Sequence, residues 1–398
     1  MTMLRLLHVV PYYEDAWAYG GIPRLAAAMT RGLARRGHAV TVCTTDAAEA
    51  HARTRGPRVA DHEGVSVRVF RNLSNRLAYD WQFFTPVGLA RFLGTAARGF
   101  DVAHLHGCHH LPGAIAAGAL RRAHVPYVVS PNGTAPRLER RRLAKLLFDA
   151  TLGRRVLPGA ARILGVTLAE QRQIESLRFP ASSIRIIPNP IDETEFEPPP
   201  DGRAFRAAHG LAGEQVVMFL GKLTPRKGVD VLVRALARLP GPRPRLVVAG
   251  NDMGTGEAVG RLALELHVHD RVLRVGLLRG RDRLDALAAA DVVVYPSRDE
   301  VFGLVPLEAL LCGRPVIVCS DSGCGEIIGS IGGGHVVPWD DPETLAGAIG
   351  SILSAPALWS DRARAAGGRA RARFAADVVC AEIEQMYRDL LAGPRSAS

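Results

Sequence analysis

Three stretches of this chain hold residue types that could do chemistry. "EVFGLVPLE" places Glu300 and Glu308 with seven residues between them. Two carboxylates on one strand–loop–helix unit suit a ligand rich in hydroxyls. "GKLTPRKG" gathers Lys222, Arg226 and Lys227 around a tight loop. Cations beside the free amides of a helix start make a site for a phosphate or diphosphate. "HLHGCHH", His104 to His110, packs four histidines and a cysteine into seven positions and has the look of a metal site.

The metal reading does not survive the spacing. A zinc ion needs three or four side chains converging at ~2.0–2.3 Å, and five candidates this close in sequence do not all converge. The six cysteines are scattered, with no C-x-x-C pair, and read as reduced, mostly buried thiols. There is also no D-x-D triplet to hold a divalent ion on a diphosphate. No metal and no cofactor are expected, and the histidines read as the wall of a cleft.

The elements that must position these residues alternate along the chain. "LRLLHVV", "HAVTVCTT", "VSVRVF", "DVAHLH" and "PYVVS" read as strands, with "PRLAAAMTRGLARRG" a helix stopped by glycine. After "SIRIIPNPID", the proline-rich "ETEFEPPPDG" breaks the pattern near residue 197. A second series follows: "VVMFLG", "RLVVAG", "VLRVG", "DVVVYPS", "RPVIVCS" and "HVVP". This rhythm predicts an α/β protein of two doubly wound, Rossmann-like domains, 1–196 and 197–375, facing a central cleft. The tail "FAADVVCAEIEQMYRDLLAG" predicts a closing helix within 376–398 that returns toward the first domain.

In the second series, strand "DVVVYP" leads into the loop carrying Glu300 and Gly303. Pro306 suits the first turn of the next helix, where its missing N–H is not needed. Alone, Glu300 reads as a solvated loop residue, Glu308 as a favourable charge near a helix dipole, and Lys222 with Lys227 as a solvated basic loop. In their shared strand–loop–helix setting they read as a site.

Length and composition fit this frame. The 398 residues are long for one core, and 47% apolar with 22% charged is ordinary for a globular protein. "MTMLRLLHVVPYY" reads as a first strand and not a signal peptide, and no apolar run approaches the ~18 residues of a membrane span, so a cytoplasmic protein is expected. The net charge of +11 favours anionic partners, whether nucleotide phosphates, nucleic acid or an acidic membrane. No nucleic-acid module is recognisable, and nucleic acid is not expected as a partner.

The glutamate motif and "GKLTPRKG", together with "AYGGIPRLAAAMTRGLARRGHAVTV", "FDVAHLHG", "PYVVSPNGT" and "IIPNPID", resemble glycosyltransferase family four, retaining enzymes of the GT-B fold. The likeness runs over nearly the whole chain. It implies a sugar transferred from a nucleoside-diphosphate sugar, UDP or GDP, to an acceptor hydroxyl. Glu308 would hold the ribose and Glu300 the sugar hydroxyls. Backbone around Phe302, Gly303 and Leu304 would face sugar and phosphate. Lys222 and Lys227 would meet the diphosphate, Gly21 would let backbone approach it from the other lobe, and the base would lie near Gly276 and Leu277. His106, second histidine of the H-x-H-G stretch, would touch the donor sugar. His104 reads as a core or near-cleft residue, and His109 and His110 as facing solvent or the site. Two departures stand out: Lys222 where relatives have arginine, which loses the two-pronged grip, and Asn132 where they often have histidine.

The acceptor, a carbohydrate or lipid-linked carbohydrate, is expected on the first domain. "YDWQFFTPVGLARFL" offers Trp81, Phe83 and Phe84 for stacking or for lipid, with core packing the favoured reading. "RLERRRLAKLLFDATLGRR", 137–155, could rest on an acidic bilayer at the inner face of the membrane, but leans toward an ordinary amphipathic helix packed on its sheet. The alternatives are a nucleotide-sugar epimerase of similar fold and a non-catalytic basic protein that binds membrane or nucleic acid. A Rossmann dehydrogenase is weaker, because "VVAGNDMGTGEAVG" lacks the G-x-G-x-x-G spacing.

Overall fold

The computed structural model describes residues 2–393 apart from 15, 56, 137–141 and 241–243. The chain divides into two compact units, one of Met1–Ile191 with Ala376–Ser398, the other Asp192–Ala375.

The first unit holds β1 (Arg5–Val9), β2 (Ala39–Thr45), β3 (Val59–His62), β4 (Val65–Phe70), β5 (Val102–His106), β6 (Tyr127–Ser130), β7 (Arg162–Gly165) and β8 (Ile184–Ile186). They form one sheet in the order β3-β4-β2-β1-β5-β6-β7-β8. All neighbours are parallel except β3 and β4. The central strands are buried on both faces, as parallel strands covered by helices must be. Helix Ile22–Arg35 turns Ala26, Ala27, Met29 and Leu33 inward against the same cluster as Val379, Cys380, Ile383 and Tyr387 of the last helix, Ala376–Leu391. Glu384 of that helix lies 2.7 Å from both Arg36 and Arg388, and these pairings hold its carboxyl down at about 2 against the opposing effect of burial.

The second unit holds β9 (Val216–Leu220), β10 (Arg245–Ala249), β11 (Val272–Gly276), β12 (Val292–Tyr295), β13 (Val316–Cys319) and β14 (Gly334–Val337), all parallel. Their order, β11-β10-β9-β12-β13-β14, runs outward from β9 in one direction and then resumes at β12 on its other side. That reversal is the switch point of a doubly wound sheet, where the loops leaving two adjacent strands diverge and open a crevice.

Three strands escape the sequence pattern: β3, mostly exposed at one edge, β7, "RILG", with only two apolar residues in a run, and β8, three residues at the other edge. The division between units also falls before the proline-rich break expected near 197. The acidic turn Glu193–Phe196 belongs to the second unit because Glu193 pairs with Arg371 at 2.9 Å and Glu195 with Arg283.

Candidate active site

In the second unit, β9 and β12 are hydrogen-bonded neighbours, so the loops after their carboxyl ends emerge side by side. The first runs through a short 3-10 turn, Pro225–Lys227, into helix Val229–Arg238; the second leads into helix Leu304–Leu311. Each helix starts at a left-handed glycine, Gly228 with φ 64° and Gly303 with φ 76°. A Cβ on Gly228 would lie 2.3 Å from the Pro296 carbonyl oxygen, and one on Gly303 2.5 Å from Cys324 Sγ. Neither position admits a side chain. Among the described residues neither helix start is capped by a side chain, whereas Ser322 caps helix Gly323–Ile331 through Gly325 N at 3.0 Å. Two helix starts therefore present first-turn amides without a side-chain acceptor.

Lys227 and Glu300 meet there. The Lys227 ammonium donates to Glu300 Oε2 and to the Tyr295 hydroxyl, and sits 4.5 Å from the centre of the Tyr295 ring. Tyr295 and Ser297 donate to the same carboxylate oxygen at 3.1 and 3.2 Å. Burial opposes the Glu300 charge, but Lys227 and Arg226 outweigh it and bring the carboxyl down to about 2. Tyr295, buried beside that carboxylate, is pushed well above its ordinary value and keeps its proton.

Glu308, in helix Leu304–Leu311, is buried, and Arg283 Nη1 lies 3.4 Å from its Oε1. Arg283 also binds Glu195, so one buried guanidinium spans two carboxylates. The Phe302 side chain turns inward onto Phe374, ring centres 5.6 Å apart, leaving its backbone as the part that could face a ligand. Leu304 opens the helix. Gly276, the last residue of β11, and Leu277 after it line a crevice of about 500 Å³ with Leu223, Gly250, Asn251 and Asp252. The glycine loop after β10 is no anion site: Asp252 Oδ1 already accepts from the amides of Gly254, Thr255 and Gly256 at 3.0–3.2 Å. Lys222 sits half-buried at the end of β9, its carbonyl bonded by Thr224 N at 3.1 Å.

In the first unit, His8 pairs in register with His104 across β1 and β5, His106 follows two residues on along β5, and all three are buried. Their ligating nitrogens lie within 4.8 Å of one another, near enough to raise the question of a cation. His104 and His106 stack nearly parallel, 4° apart with centres at 4.5 Å, so their in-plane lone pairs do not meet at one point. Both His104 nitrogens are engaged, with Tyr387 and Ser130 hydroxyls at 2.6 Å. His106 Nε2 pairs with His8 Nδ1 at 3.0 Å, and burial pushes His106 down to about 3, so it is neutral.

His109 and His110, expected to face solvent or the site, do neither. His109 bridges Asp149 at 3.0 Å and the Thr134 carbonyl at 3.0 Å. His110 caps its own helix, accepting from Gly113 N at 3.0 Å, a role that a histidine flanking "LPGA" does not advertise. Asn132 lies in the left-handed region, φ 50°, in the loop after β6. That loop is tied by Glu170, which accepts from Gly133 N at 2.6 Å and Val166 N at 2.9 Å. Gly21 is the first residue before helix Ile22–Arg35, which also lacks a side-chain cap.

The aromatic stretch divides. Phe84 is buried against Tyr12 and Tyr19, as core packing predicts, but Trp81 is 60% and Phe83 51% exposed. Of 137–155, residues 137–141 lie outside the described residues. In the rest, Leu146 and Leu147 are exposed rather than packed, and Arg154 and Arg155 line a crevice of about 470 Å³ with Arg121 and Arg122. Among the described residues no helix is long and apolar enough to cross a membrane.

Sequence reasoning passed over Tyr295, Ser297, Arg283 and Glu195. Tyr295 and Ser297 were detectable as the end of the strand feeding Glu300. Arg283 and Glu195 gave no local signal, because their partners are distant in sequence.

Comparison with known proteins identifies the class. Residues 201–373 match the family model of glycosyl transferases group 1, and residues 20–190 match the glycosyl transferase 4-like domain. The chain belongs to this family of glycosyltransferases. It is 32% identical to the D-inositol 3-phosphate glycosyltransferase of Acidothermus cellulolyticus, over 98% of this chain and 89% of the relative. The enzyme of the same name from Kineococcus radiotolerans is 32% identical over 89% of this chain and 86% of its own length. Anabaena HepE, solved in complex with UDP and glucose, superposes with a TM-score of 0.75 at 21% identity, over 97% of this chain and 99% of that one. The fold is thus that of GT-B enzymes and the activity is glycosyl transfer; the epimerase and non-catalytic readings give way.

Proposed function

We propose that the protein moves a sugar from a nucleoside-diphosphate sugar, UDP- or GDP-linked, to an acceptor hydroxyl, with retention of configuration and without a metal. One observation carries this reading: Lys227 and Glu300 in direct contact at the β9/β12 switch point, between two helix starts whose amides no side chain caps among the described residues. The ammonium and those amides supply fixed positive charge where a departing diphosphate develops negative charge. Glu300, held ionised, is an acceptor suited to the hydroxyls of a sugar. Glu308 takes the ribose, with Arg283 fixing its carboxylate, and the crevice at Gly276 and Leu277 takes the base. The acceptor attacks from the leaving-group face, and the departing phosphate oxygen takes its proton. The roles of Gly21, His106, Lys222 and Asn132 rest on the family resemblance alone.

The named relatives suggest a polyol or carbohydrate acceptor, and we place the enzyme in polysaccharide or glycolipid assembly on the cytoplasmic side. The test is a panel of nucleoside-diphosphate sugars scored by thermal stabilisation. The stabilising donor is then assayed for transfer in EDTA, with the product anomer read by NMR. Stabilisation by one donor, transfer unaffected by EDTA and a retained anomer are expected. Activity lost in EDTA and restored by a divalent ion would overturn the metal-free reading, and an inverted anomer the retaining one.

A further inference from the structure

Residues 72–86 leave the first unit as a finger closed at its neck. Val87 N donates to the Arg71 carbonyl at 2.9 Å, Leu73 N to Thr85 Oγ1 at 3.1 Å, and Thr85 N to Asn72 Oδ1 at 2.6 Å. Asn72, fully buried, also reaches Ser74 O and Asn75 Oδ1, and its carbonyl accepts from Arg53 at 2.8 Å. Inside the finger, Ala78 and Phe84 pack with Tyr12 and Tyr19. Outside it, Leu73 (66%), Leu77 (47%), Trp81 (60%) and Phe83 (51%) stand in solvent. Leu77 and Trp81 are one helical turn apart on helix Asn75–Trp81, so they share a side. A backbone tied at its base holds these exposed apolar side chains in place, and large apolar side chains held in solvent close together in the chain mark a contact surface.

At the foot of the finger, a pocket of about 210 Å³ is lined by Arg55, Arg58 and Arg71 with Thr44 and Thr45. Its acidic groups are already committed. Glu14 pairs with Arg31 at 3.0 Å and His62 at 2.8 Å; Asp46 pairs with Arg53 at 2.6 Å and accepts from Asn72 N at 2.8 Å. The Arg55, Arg58 and Arg71 guanidiniums have no carboxylate partner among the described residues. Three positive charges without a carboxylate partner therefore line a pocket that reaches Arg71, at the neck of a segment exposing hydrocarbon side chains and an indole. A soluble anion would use the arginines and leave the finger without purpose. The boundary between phosphate headgroups and acyl chains uses both, with tryptophan at its preferred depth.

We propose that the finger and its arginine pocket dock the first unit on an anionic lipid bilayer. The surface adjoins the carboxyl ends of β2 and β4, the end of such a sheet that serves ligands, so docking brings a lipid-borne acceptor to the working end. This goes beyond the donor-side reading and does not depend on it. The other basic crevice, around Arg121 and Arg122, is a weaker candidate. Those arginines occupy the last turn of helix Leu111–Ala123, where cations are favoured without a partner.

The test uses the full chain with phosphatidylcholine vesicles, with and without phosphatidylglycerol, read by co-sedimentation and by quenching with brominated lipid. Binding that requires phosphatidylglycerol is expected, with quenching that disappears in Trp81→Phe. Leu77→Ser/Phe83→Ser should weaken partitioning about tenfold or more, because two apolar side chains no longer transfer from water. Arg55→Ser/Arg58→Ser/Arg71→Ser should remove the phosphatidylglycerol dependence. Circular dichroism and nucleoside-diphosphate affinity, measured on each variant, report folding and the donor reading separately from docking. The proposal falls if the wild type stays in the supernatant or the finger variants pellet like wild type. It falls equally if Leu147→Ser/Leu152→Ser abolishes binding instead, or if sedimentation velocity shows the finger joining two copies of the chain.

Discussion

Because Lys227 and Glu300 are bound to one another, an incoming diphosphate competes with a carboxylate for the same ammonium. This gives Glu300→Gln two opposite effects. Affinity for the bare nucleoside diphosphate should rise severalfold, on the order of 1 kcal/mol, since the competitor is gone. Sugar transfer should fall about a hundredfold, since a neutral amide no longer orders the sugar. Calorimetry with UDP and GDP and a transfer assay check the pair; equal losses in both would contradict it. Glu170 supplies a pH signature of another kind. Burial raises its carboxyl to about 7 despite two backbone donors. The folded value lies above the ordinary 4.5, so the native state takes up a proton between these values. Its contribution to stability therefore declines as pH rises from about 4.5 through about 7. Glu170→Gln should flatten that part of the melting-temperature profile, and an unaltered slope would remove Glu170 as its source. At this scale the sequence showed charge and spacing but not pairing. Glu300 and Lys227 were legible through their motifs, while Arg283 is an unremarked arginine until the fold sets it beside Glu308.

At the scale of elements, the strand–loop–helix units did their positioning as the patterns implied. Every strand read from apolar runs is present, because parallel strands buried on both faces must be continuously apolar. The strands passed over have physical reasons: β3 and β8 lie at the two edges, and β7 offers only Ile163 and Leu164 as an apolar run. The finger was read as core because three aromatics in sequence usually are. The left-handed Gln82, φ 54°, instead turns the chain so that Phe84 goes in while Trp81 and Phe83 stay out. The element-level prediction concerns the helix start at Gly303. Gly303→Ala should destabilise the protein by roughly 1–3 kcal/mol, from the left-handed backbone and the clash with Cys324 Sγ, and should weaken donor binding as the amides shift. Gly329→Ala, where an added Cβ meets nothing within 4 Å, is the control and should be neutral or slightly stabilising. Denaturant melts of the two variants separate the outcomes; equal stability would mean the Gly303 start is not constrained.

For the molecule as a whole, the net charge of +11 did not say where the charge is spent. The structure does, with one cation bound to Glu300, many arginines committed to ion pairs, and surplus guanidiniums gathered at Arg55, Arg58 and Arg71. Nor did the alternation of strands and helices give the strand order, which is set by long-range pairing and creates the switch point between β9 and β12. The account rests on a diphosphate being held there by the Lys227 ammonium and helix-start amides. The direct measurement is calorimetric affinity for the preferred nucleoside diphosphate and for the same nucleoside without phosphates, in the wild type and in Lys227→Ala. The wild type should favour the diphosphate by roughly a hundredfold or more, and the variant should lose at least tenfold of that preference while binding the nucleoside as before. An undiminished preference in Lys227→Ala would contradict the assignment.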